Sequence, residues 1–144
     1  MQDSFERIRQ SGLKLTSRRK AIVALFSGYT GPLTPRDVQS RLKGDFEQCG
    51  LPGIYRNLES LADCGVLFRV VSFGRERAYA FCHRPKADID GHHHHIICVS
   101  CGRTGQINDC RYQEGMTVAG FRIVEHVLQL KGLCEACTET EAPQ

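Results

Sequence analysis

The chain has 144 residues, of which 41% are hydrophobic and 24% charged, a composition typical of a folded globular protein rather than a disordered one. This length accommodates one domain or two small ones, and no apolar run approaches the roughly 18 residues that a membrane span requires. The net charge of +3 is uneven: residues 1–81 carry 13 Lys and Arg against 8 Asp and Glu, and residues 82–144 carry 6 against 8. A basic half followed by a Cys- and His-rich half suggests a polyanion-binding part and a metal-binding part. A solvated basic face without a partner would show the same charge pattern.

The first half predicts four short helices, from the helical spacing of its apolar residues and from its capping residues. Thr34 and Pro35 are an N-cap and a first helical residue, and Ile54, Leu58 and Leu61 form one apolar stripe on the fourth helix. The predicted helices cover Ser4–Gln10, from Thr16 to Gly28, from Thr34 to Gly44, and from Pro52 to Gly65.

A hairpin follows the helices, because two strand-rich segments, 66–73 and 77–82, flank a turn at 74–76. Short helices followed by a two-stranded hairpin are typical of a winged helix-turn-helix domain, in which the fourth helix would enter a DNA major groove. We therefore predict an α+β protein whose residues 1–83 form a winged-helix DNA-binding domain.

Residues 84–91 contain Pro and Gly in a polar loop and are predicted to be a hinge. Beyond it, residues 92–144 are predicted to form a small α/β metal-binding and dimerisation domain. Such a domain is too small for a large core, so zinc and a partner subunit would both stabilise it. Its predicted elements are strands at 95–100, 104–108 and 121–131, a short helix at 110–118, and a polar, frayed tail at 138–144.

Two CxxC pairs stand in this second part, Cys98 with Cys101 and Cys134 with Cys137. Four thiolates at this spacing can close one tetrahedral zinc site, which has no open position and is therefore structural. A redox CxxC is the alternative, but such motifs come singly within a βαβ pattern that this chain lacks.

Four consecutive histidines precede the first CxxC pair. On a strand His93 and His95 would share one face, and His92 and His94 the other, so the run can serve two different metal sites; a solvated polar run is the alternative. Cys82 lies shortly upstream, and a thiolate with two imidazoles favours zinc over magnesium or calcium, and to a lesser degree over ferrous iron. Cys82 can equally be a buried structural thiol.

Three further cysteines, Cys49, Cys64 and Cys110, carry no recognisable motif, and Cys110 is close enough to the zinc-ligand region for its role to stay open. The absence of a signal peptide predicts a cytoplasmic location, where cysteines are thiols or metal ligands. Two disulfides in a secreted protein are the alternative.

Several motifs follow one another along the chain: GLKLTSRR from Gly12, GLPGIYRNL from Gly50, HHHHIICVSCG from His92, and His126 followed by Cys134 and Cys137. Their order resembles the ferric uptake regulator (Fur) family of repressors, over about residues 5–137. The resemblance implies a homodimer, a structural zinc at the four cysteines, and a regulatory metal at the hinge. Among the DNA-binding candidates, Tyr55 and Arg56 would touch bases in the major groove and Lys14 would enter the minor groove. The other DNA-binding candidates are Arg18, Arg19 and Asn57.

At the hinge, the sequence departs from the iron-type members of the family. Where they usually have a histidine and a carboxylate, this chain has Pro32 and Ala80, with Cys82 two residues further on. A cysteine there resembles the zinc-uptake-regulator branch, which implies a regulatory site of Cys82, His93 and His95. Its fourth ligand stays open, with His83, Asp88 and Asp90 as candidates.

A second regulatory site is also implied by the resemblance, formed by His92, His94, His126 and a glutamate on the intervening helix. Glu114 lies near the expected position, although the chain is shorter there than in the family.

We therefore expect a zinc-responsive repressor that binds palindromic operator DNA as a homodimer, with zinc as structural ion and zinc or Fe2+ as regulatory ion. An iron- or peroxide-responsive repressor of the same family is the alternative. A zinc-knuckle interaction module and a zinc hydrolase are remote alternatives, since a hydrolase requires an H-x-E or HExxH motif, which is missing. No catalytic residue, membrane partner or small organic substrate is expected.

Overall fold

A computed structural model describes residues 1–71, 75–83 and 92–140. The chain divides into two compact units, Met1–Lys86 and Ala87–Gln144, and each is described here by itself. The predicted hinge at 84–91, Gly74 in the predicted turn, and residues 141–144 of the tail lie outside the described residues.

The four predicted helices of the first unit are confirmed. Thr16 caps the second of them, since its side chain accepts a hydrogen bond from the Arg19 backbone N–H at 3.2 Å. The third begins with a capping box, in which the side chains of Thr34 and Asp37 each accept from the other's backbone N–H. The helices are α1 (Gln2–Gln10), α2 (Ser17–Ser27), α3 (Pro35–Leu42) and α4 (Leu51–Asp63).

The predicted hairpin is present as strands β1 (Leu67–Val70) and β2 (Ala78–Phe81), which pair antiparallel. Leu33 extends this sheet, because its backbone exchanges two hydrogen bonds with Tyr79, at 2.9 and 3.0 Å. Helices α2 to α4 with this small sheet form the predicted winged helix-turn-helix.

One apolar core holds the first unit together. Its members come from all four helices and from both sides of the wing, and Tyr79 is its largest fully buried side chain. The buried residues of this core are Ile8, Ile22, Val23, Phe26, Leu33, Val38, Leu42, Ile54, Leu58, Leu61, Val66, Leu67 and Tyr79.

The second unit is mostly β-structure. Its main sheet has the strand order β4-β3-β7, in which β3 pairs antiparallel with β4 and parallel with β7. A separate hairpin pairs β5 with β6. The elements are β3 (His94–Cys98), β4 (Thr104–Ile107), β5 (Thr117–Val118), β6 (Phe121–Arg122), β7 (Gln129–Gly132) and α5 (Glu135–Thr140).

Three expectations for this unit were wrong. The helix predicted at 110–118 is absent, because Gly115 within that span has a positive φ of 88° and Thr117–Val118 pair with β6 as β5, across a two-residue loop at Ala119 and Gly120. The predicted strand at 121–131 is interrupted between β6 and β7. The tail predicted to be frayed from residue 138 is helical as far as Thr140, because α5 begins directly after Cys134 and extends into it.

The second unit buries little apolar surface. Among its described residues only Ile97 and Cys98 are buried hydrophobic side chains. Phe121 and Val124 are 77% and 81% exposed. In the described part of the chain, no helix has the length and apolarity needed to cross a membrane.

Candidate metal centres and nucleic-acid interface

The parallel pairing of β3 with β7 brings the two CxxC pairs together. Cys98 is the last residue of β3 and lies opposite Gly132 of β7, so the chain reaches Cys134 two residues further on. Gly102 has a φ of +80° and its N–H donates to the Cys98 carbonyl at 3.0 Å, which closes the first CxxC turn. Cys137 lies in α5, one helical turn after Cys134. The strand register and the two turns therefore bring the four cysteines close together.

The geometry at that point fits tetrahedral zinc. The Sγ atoms of all four cysteines lie within 4.8 Å of one another, and those of Cys101 and Cys134 are 3.7 Å apart. Sulfurs about 2.3 Å from a tetrahedral zinc ion are about 3.8 Å apart. The Cys134 N–H donates to Cys98 Sγ at 3.3 Å, and backbone N–H groups of Cys101 and Cys134 lower the pKa of the Cys98 thiol to about 6. This donor set would hold zinc as thiolates, and the four cysteines leave no open position.

A second group of metal-ligand atoms lies in the same unit. His92, His94 and His126 form a cluster, called the histidine cluster below, in which the Nε2 atoms of His94 and His126 are 3.1 Å apart. Cys110 joins them, with its Sγ 3.6 Å from Nε2 of His126. All four ligand atoms lie within 4.8 Å of one another.

This grouping differs from the expected second site at one position. Among the described residues Cys110 belongs to the group and Glu114 does not. Glu114 lies instead in the exposed turn before β5, because the predicted helix that would carry it is replaced by a hairpin. The cysteine carries no local motif, and only its nearness to the zinc-ligand region pointed to it.

The charge state of His94 also suits metal binding. Burial lowers the pKa of His94, and the neighbouring positive charges of His126 and His92 lower it further, while a hydrogen bond to the Leu128 carbonyl opposes the shift. The neutral imidazole is therefore favoured, and neutral imidazole is the form that binds metals.

The remaining hinge-site candidates are divided between the two units. His95 lies in β3, and the rings of His93 and His95 are 4.8 Å apart, as expected for alternate residues on one strand face. Cys82 directly follows β2 in the first unit, where its N–H donates to the Val66 carbonyl at 3.0 Å. His83 is exposed, and Asp88 and Asp90 lie outside the described residues.

The predicted DNA-binding residues meet where α2 approaches α4. Arg19 donates from Nε to Asn57 Oδ1 at 3.1 Å and from its guanidinium to the Lys14 carbonyl at 2.5 Å. Asn57 in turn donates to the Gly53 carbonyl at 3.1 Å. Arg19 thereby links the segment before α2 to α4, and its charge lies beside the predicted recognition helix.

Arg18, Tyr55 and Arg56 line the same groove. Arg18 lies over the Phe46 ring, 5.3 Å from its centroid, and donates to the Gln48 carbonyl. Arg56 is exposed and forms no ion pair with any described residue. Arg56 is thus the arginine of the predicted set that is free to reach a nucleic acid.

A charged network, not anticipated from the sequence, joins α4 to the wing. Glu59 accepts from Arg69 Nε at 2.9 Å, from Arg77 at 3.0 Å and from the Tyr79 hydroxyl. Hydrogen bonds from Arg69 and Tyr79 lower the pKa of Glu59 to about 2. Burial and the bond to Glu59 raise the pKa of Tyr79 to about 12. The wing strands are therefore held to the predicted recognition helix by a carboxylate that stays ionised.

A sequence profile of the ferric uptake regulator family matches residues 10–131, most of the chain. The chain belongs to the ferric uptake regulator family. The family's members are DNA-binding transcription regulators and not enzymes, so this chain is a metal-dependent transcriptional repressor.

The proteins that this chain resembles are named for different signals, namely peroxide, zinc and iron. The peroxide-responsive repressor PerR of Staphylococcus aureus is 29% identical over 147 residues, which cover 96% of this chain and 92% of PerR. A zinc uptake regulator complexed with zinc and DNA has the same fold, with a TM-score of 0.72 and 24% identity over 98% of this chain and 94% of that one. The Helicobacter pylori ferric uptake regulator Fur, described with three functional metal binding sites, has a TM-score of 0.56 and 20% identity over 98% and 95% of the two chains.

Proposed function

We propose that this Fur-family protein is a zinc-responsive repressor, which binds palindromic operator DNA as a homodimer in the cytoplasm when its regulatory site is loaded. The observation that carries the proposal is the type of donor in each unit: Cys82 directly follows the wing in the first, and in the second the ring of His93 lies 4.8 Å from that of His95 in β3. Thiolate and imidazole together favour zinc over harder ions. The likeness in fold to the zinc uptake regulator bound to zinc and DNA supports the same reading.

The regulatory mechanism follows from where these ligands lie in the chain. Cys82 belongs to the DNA-binding unit and the two histidines to the second unit. An ion that binds all three would favour one arrangement of the units over others, which is the differential affinity that a ligand-driven switch requires. In the proposed repressor, the arrangement that the ion favours would place the DNA-binding units of the dimer at the spacing of the operator half-sites. The four-cysteine cluster, whose ligands lie in one unit, would keep its zinc throughout.

The proposed DNA contacts use the face of α4 that the core leaves free. Tyr55 and Arg56 would meet base edges, since arginine pairs with guanine and an aromatic ring packs on a thymine methyl group. Lys14 would enter the minor groove, where a narrow groove attracts cations. Arg18, Arg19 and Asn57 would hold the recognition helix or contact phosphates, because they already bond to neighbouring backbone or to each other.

A homodimer is supported by the apolar surface of the second unit. Phe121, Val124 and Val127 are each more than 70% exposed, and Leu130 is 45% exposed. Monomeric proteins seldom expose contiguous apolar surface, and a second copy of the unit is the partner that the family resemblance implies. A Phe121→Ser variant is expected to lower the dimer fraction in analytical ultracentrifugation, whereas Glu125→Ser, a change at a neighbouring polar residue, should leave it unaltered.

The second candidate function is an iron- or peroxide-responsive repressor, favoured by the 29% identity to PerR. The two candidates differ in the ion that increases DNA affinity. For the test, operator DNA would first be selected from a random palindromic pool with zinc-loaded protein and, separately, with Fe2+-loaded protein. Fluorescence anisotropy would then follow binding in buffers of defined free Zn2+, Fe2+ or Mn2+, starting from dimer with zinc at the four cysteines only.

We expect Zn2+ to raise operator affinity by about 5- to 150-fold, the usual range of allosteric coupling. Fe2+ and Mn2+ at the same free concentration should have less effect. Unchanged affinity in Zn2+ would refute the zinc response, and a loss of affinity on adding peroxide to the Fe2+-loaded protein would establish the second candidate. A Cys82→Ala variant should lose the zinc response while Cys49→Ala keeps it; a full response in Cys82→Ala would refute the ligand assignment alone.

A further inference from the structure

We infer that Cys110 completes the histidine cluster as a four-ligand metal site, and that its thiolate makes this site selective for zinc over Fe2+ and Mn2+. The family resemblance predicts a carboxylate at this site, whereas this chain places Cys110 there. The inference concerns a site within the second unit and stands independently of the zinc response proposed for the hinge.

The distances within the group match the edges of a coordination tetrahedron. With zinc–nitrogen bonds of about 2.0–2.1 Å and zinc–sulfur bonds of about 2.3 Å, the N···N edges are about 3.3 Å and the N···S edges about 3.6 Å. The Nε2 atoms of His94 and His126 are 3.1 Å apart, and Cys110 Sγ is 3.6 Å from His126 Nε2. The His92 ring lies 5.3 Å from that of His94 and 4.9 Å from that of His126.

The surroundings of the group support ligand roles as well. The His94 ring bonds to the Leu128 carbonyl, and metal-bound histidines commonly give their second ring N–H to such a carbonyl. Cys110 is half-buried, with the Tyr112 carbonyl 3.8 Å from its Sγ, whereas His92 is exposed. An ion can therefore enter from the His92 side and meet a partly shielded thiolate.

Glu114 is the alternative fourth ligand, and its backbone is held in a different element. The turn that contains it is closed by a bond from Gly115 N–H to the Ile123 carbonyl at 2.8 Å, and by one from Met116 N–H to the Gln113 carbonyl at 3.2 Å. These bonds continue the β5–β6 hairpin and leave Glu114 exposed. Its carboxylate is not among the ligand atoms grouped with the histidine cluster in the described residues.

The change from carboxylate to thiolate alters which ions the site prefers. Oxygen ligands suit Mn2+ and Fe2+, whereas a thiolate with three imidazoles suits zinc, and also Co2+ as a spectroscopic substitute. All four ligands belong to the second unit: His94 lies in β3, His92 two residues before it, and Cys110 and His126 in the loops after β4 and β6. An ion here would brace those loops against the sheet instead of linking the two units.

The experiment uses the full-length protein with zinc retained at the four cysteines and Cys82→Ala in every sample, so that the hinge thiolate cannot contribute. Co2+ is added, and sulfur-to-cobalt charge-transfer absorption in the near ultraviolet reports a thiolate ligand. The parent is expected to develop this absorption, and a further Cys110→Ser change to abolish it. Co2+ affinity should fall at least on the order of 10- to 100-fold, the loss that removal of even an outer-shell partner causes. Glu114→Gln is the matched control and should leave both spectrum and affinity unchanged.

A Cys110→Glu variant tests selectivity and does not depend on the serine variant being well folded. It should lose the charge-transfer absorption but bind Co2+, and its affinity for Mn2+ relative to Zn2+ should rise at least about tenfold, because a hard oxygen ligand replaces the sulfur. The inference is overturned if the parent shows no thiolate absorption, if Cys110→Ser retains it, or if Glu114→Gln is the variant that loses Co2+.

Discussion

The two units of this repressor reach stability by different means. The first unit has a continuous apolar core drawn from four helices and the wing. The second has only Ile97 and Cys98 as buried hydrophobic side chains among its described residues, together with two groups of metal-ligand atoms. A domain of this size without a core depends on metal ions or a partner for its fold. The comparison indicates that the first unit folds on its own apolar core, whereas the second depends on metal ions or a partner for its fold.

The largest effect is expected when zinc is removed from the four-cysteine cluster, because this should unfold the second unit and leave the first folded. Cys134→Ser removes one thiolate from the four-cysteine cluster, and structural zinc sites contribute about 10–16 kcal/mol of apparent binding free energy. We expect the second unit to unfold and the protein to lose its dimer, while the first unit keeps its helices. Two-dimensional NMR resolves the two units residue by residue.

Cys49→Ser is the matched control for that variant, because Cys49 packs against the first unit's core and does not belong to either metal group. Retention of a folded second unit with stoichiometric zinc in Cys134→Ser would contradict the structural role of the cluster.

A substitution in the apolar core is expected to destabilise the first unit alone. Leu58 is fully buried on α4, so Leu58→Ala should lower the free energy of unfolding of the first unit by about 2–5 kcal/mol. Zinc content of the second unit should not change. Urea unfolding followed by NMR measures each unit, with Lys20→Ala on the exposed side of α2 as control; equal destabilisation of both units would show that they fold cooperatively.

A smaller effect is expected at the network that joins α4 to the wing. Glu59→Gln removes the carboxylate that accepts from Arg69, Arg77 and Tyr79, and should cost the first unit about 1–2 kcal/mol, since the pairs are partly screened by solvent. The pKa of Glu59 is lowered from its usual 4.5 to about 2. Its stabilisation is therefore fully present above about pH 4.5 and is lost as the pH falls towards 2.

That pH dependence can be measured as the difference in unfolding free energy between wild type and Glu59→Gln from pH 6 to pH 2. The difference should shrink across the acid range. A difference that stays constant with pH would exclude an ionised Glu59 as its cause. Because protonation also weakens thiolate sites, the measurement follows resonances of the first unit only.

The smallest effect tests local capping within the first unit. Thr34→Ala removes the side chain that accepts from the Asp37 N–H in the capping box of α3, at a cost of about 1 kcal/mol. Thr34→Ser keeps the hydroxyl and should recover most of the loss. The thermal midpoint of the first unit is the measurement, and equal midpoints for the alanine and serine variants would exclude a capping role.

Local sequence signals predicted the first unit well because its elements are short-range structures. The Thr34 cap and the apolar stripe on α4 involve residues within one or two helical turns, and the hairpin joins two strands that are neighbours along the chain. The Glu59 network was missed, since Arg69 and Arg77 reach it only after the wing has folded against α4.

Prediction was less successful in the second unit, where long-range pairing determines the structure. Residues 110–118 were predicted as a helix, but Gly115 within that span has a positive φ, and Thr117–Val118 pair with β6 as a strand. The helix α5 was missed in the polar tail after Cys134, although it carries Cys137.

The sequence by itself determined the order of the elements in the first unit, the two CxxC pairs, and the division of the histidine run into two alternating pairs, because these are properties of spacing along the chain. The tertiary structure decided which donors meet. Parallel pairing of β3 with β7 joins the two CxxC pairs, and the folding of the loops after β4 and β6 brings Cys110, in place of Glu114, to the histidine cluster. The register of distant strands sets such contacts, and no local pattern of residues specifies it.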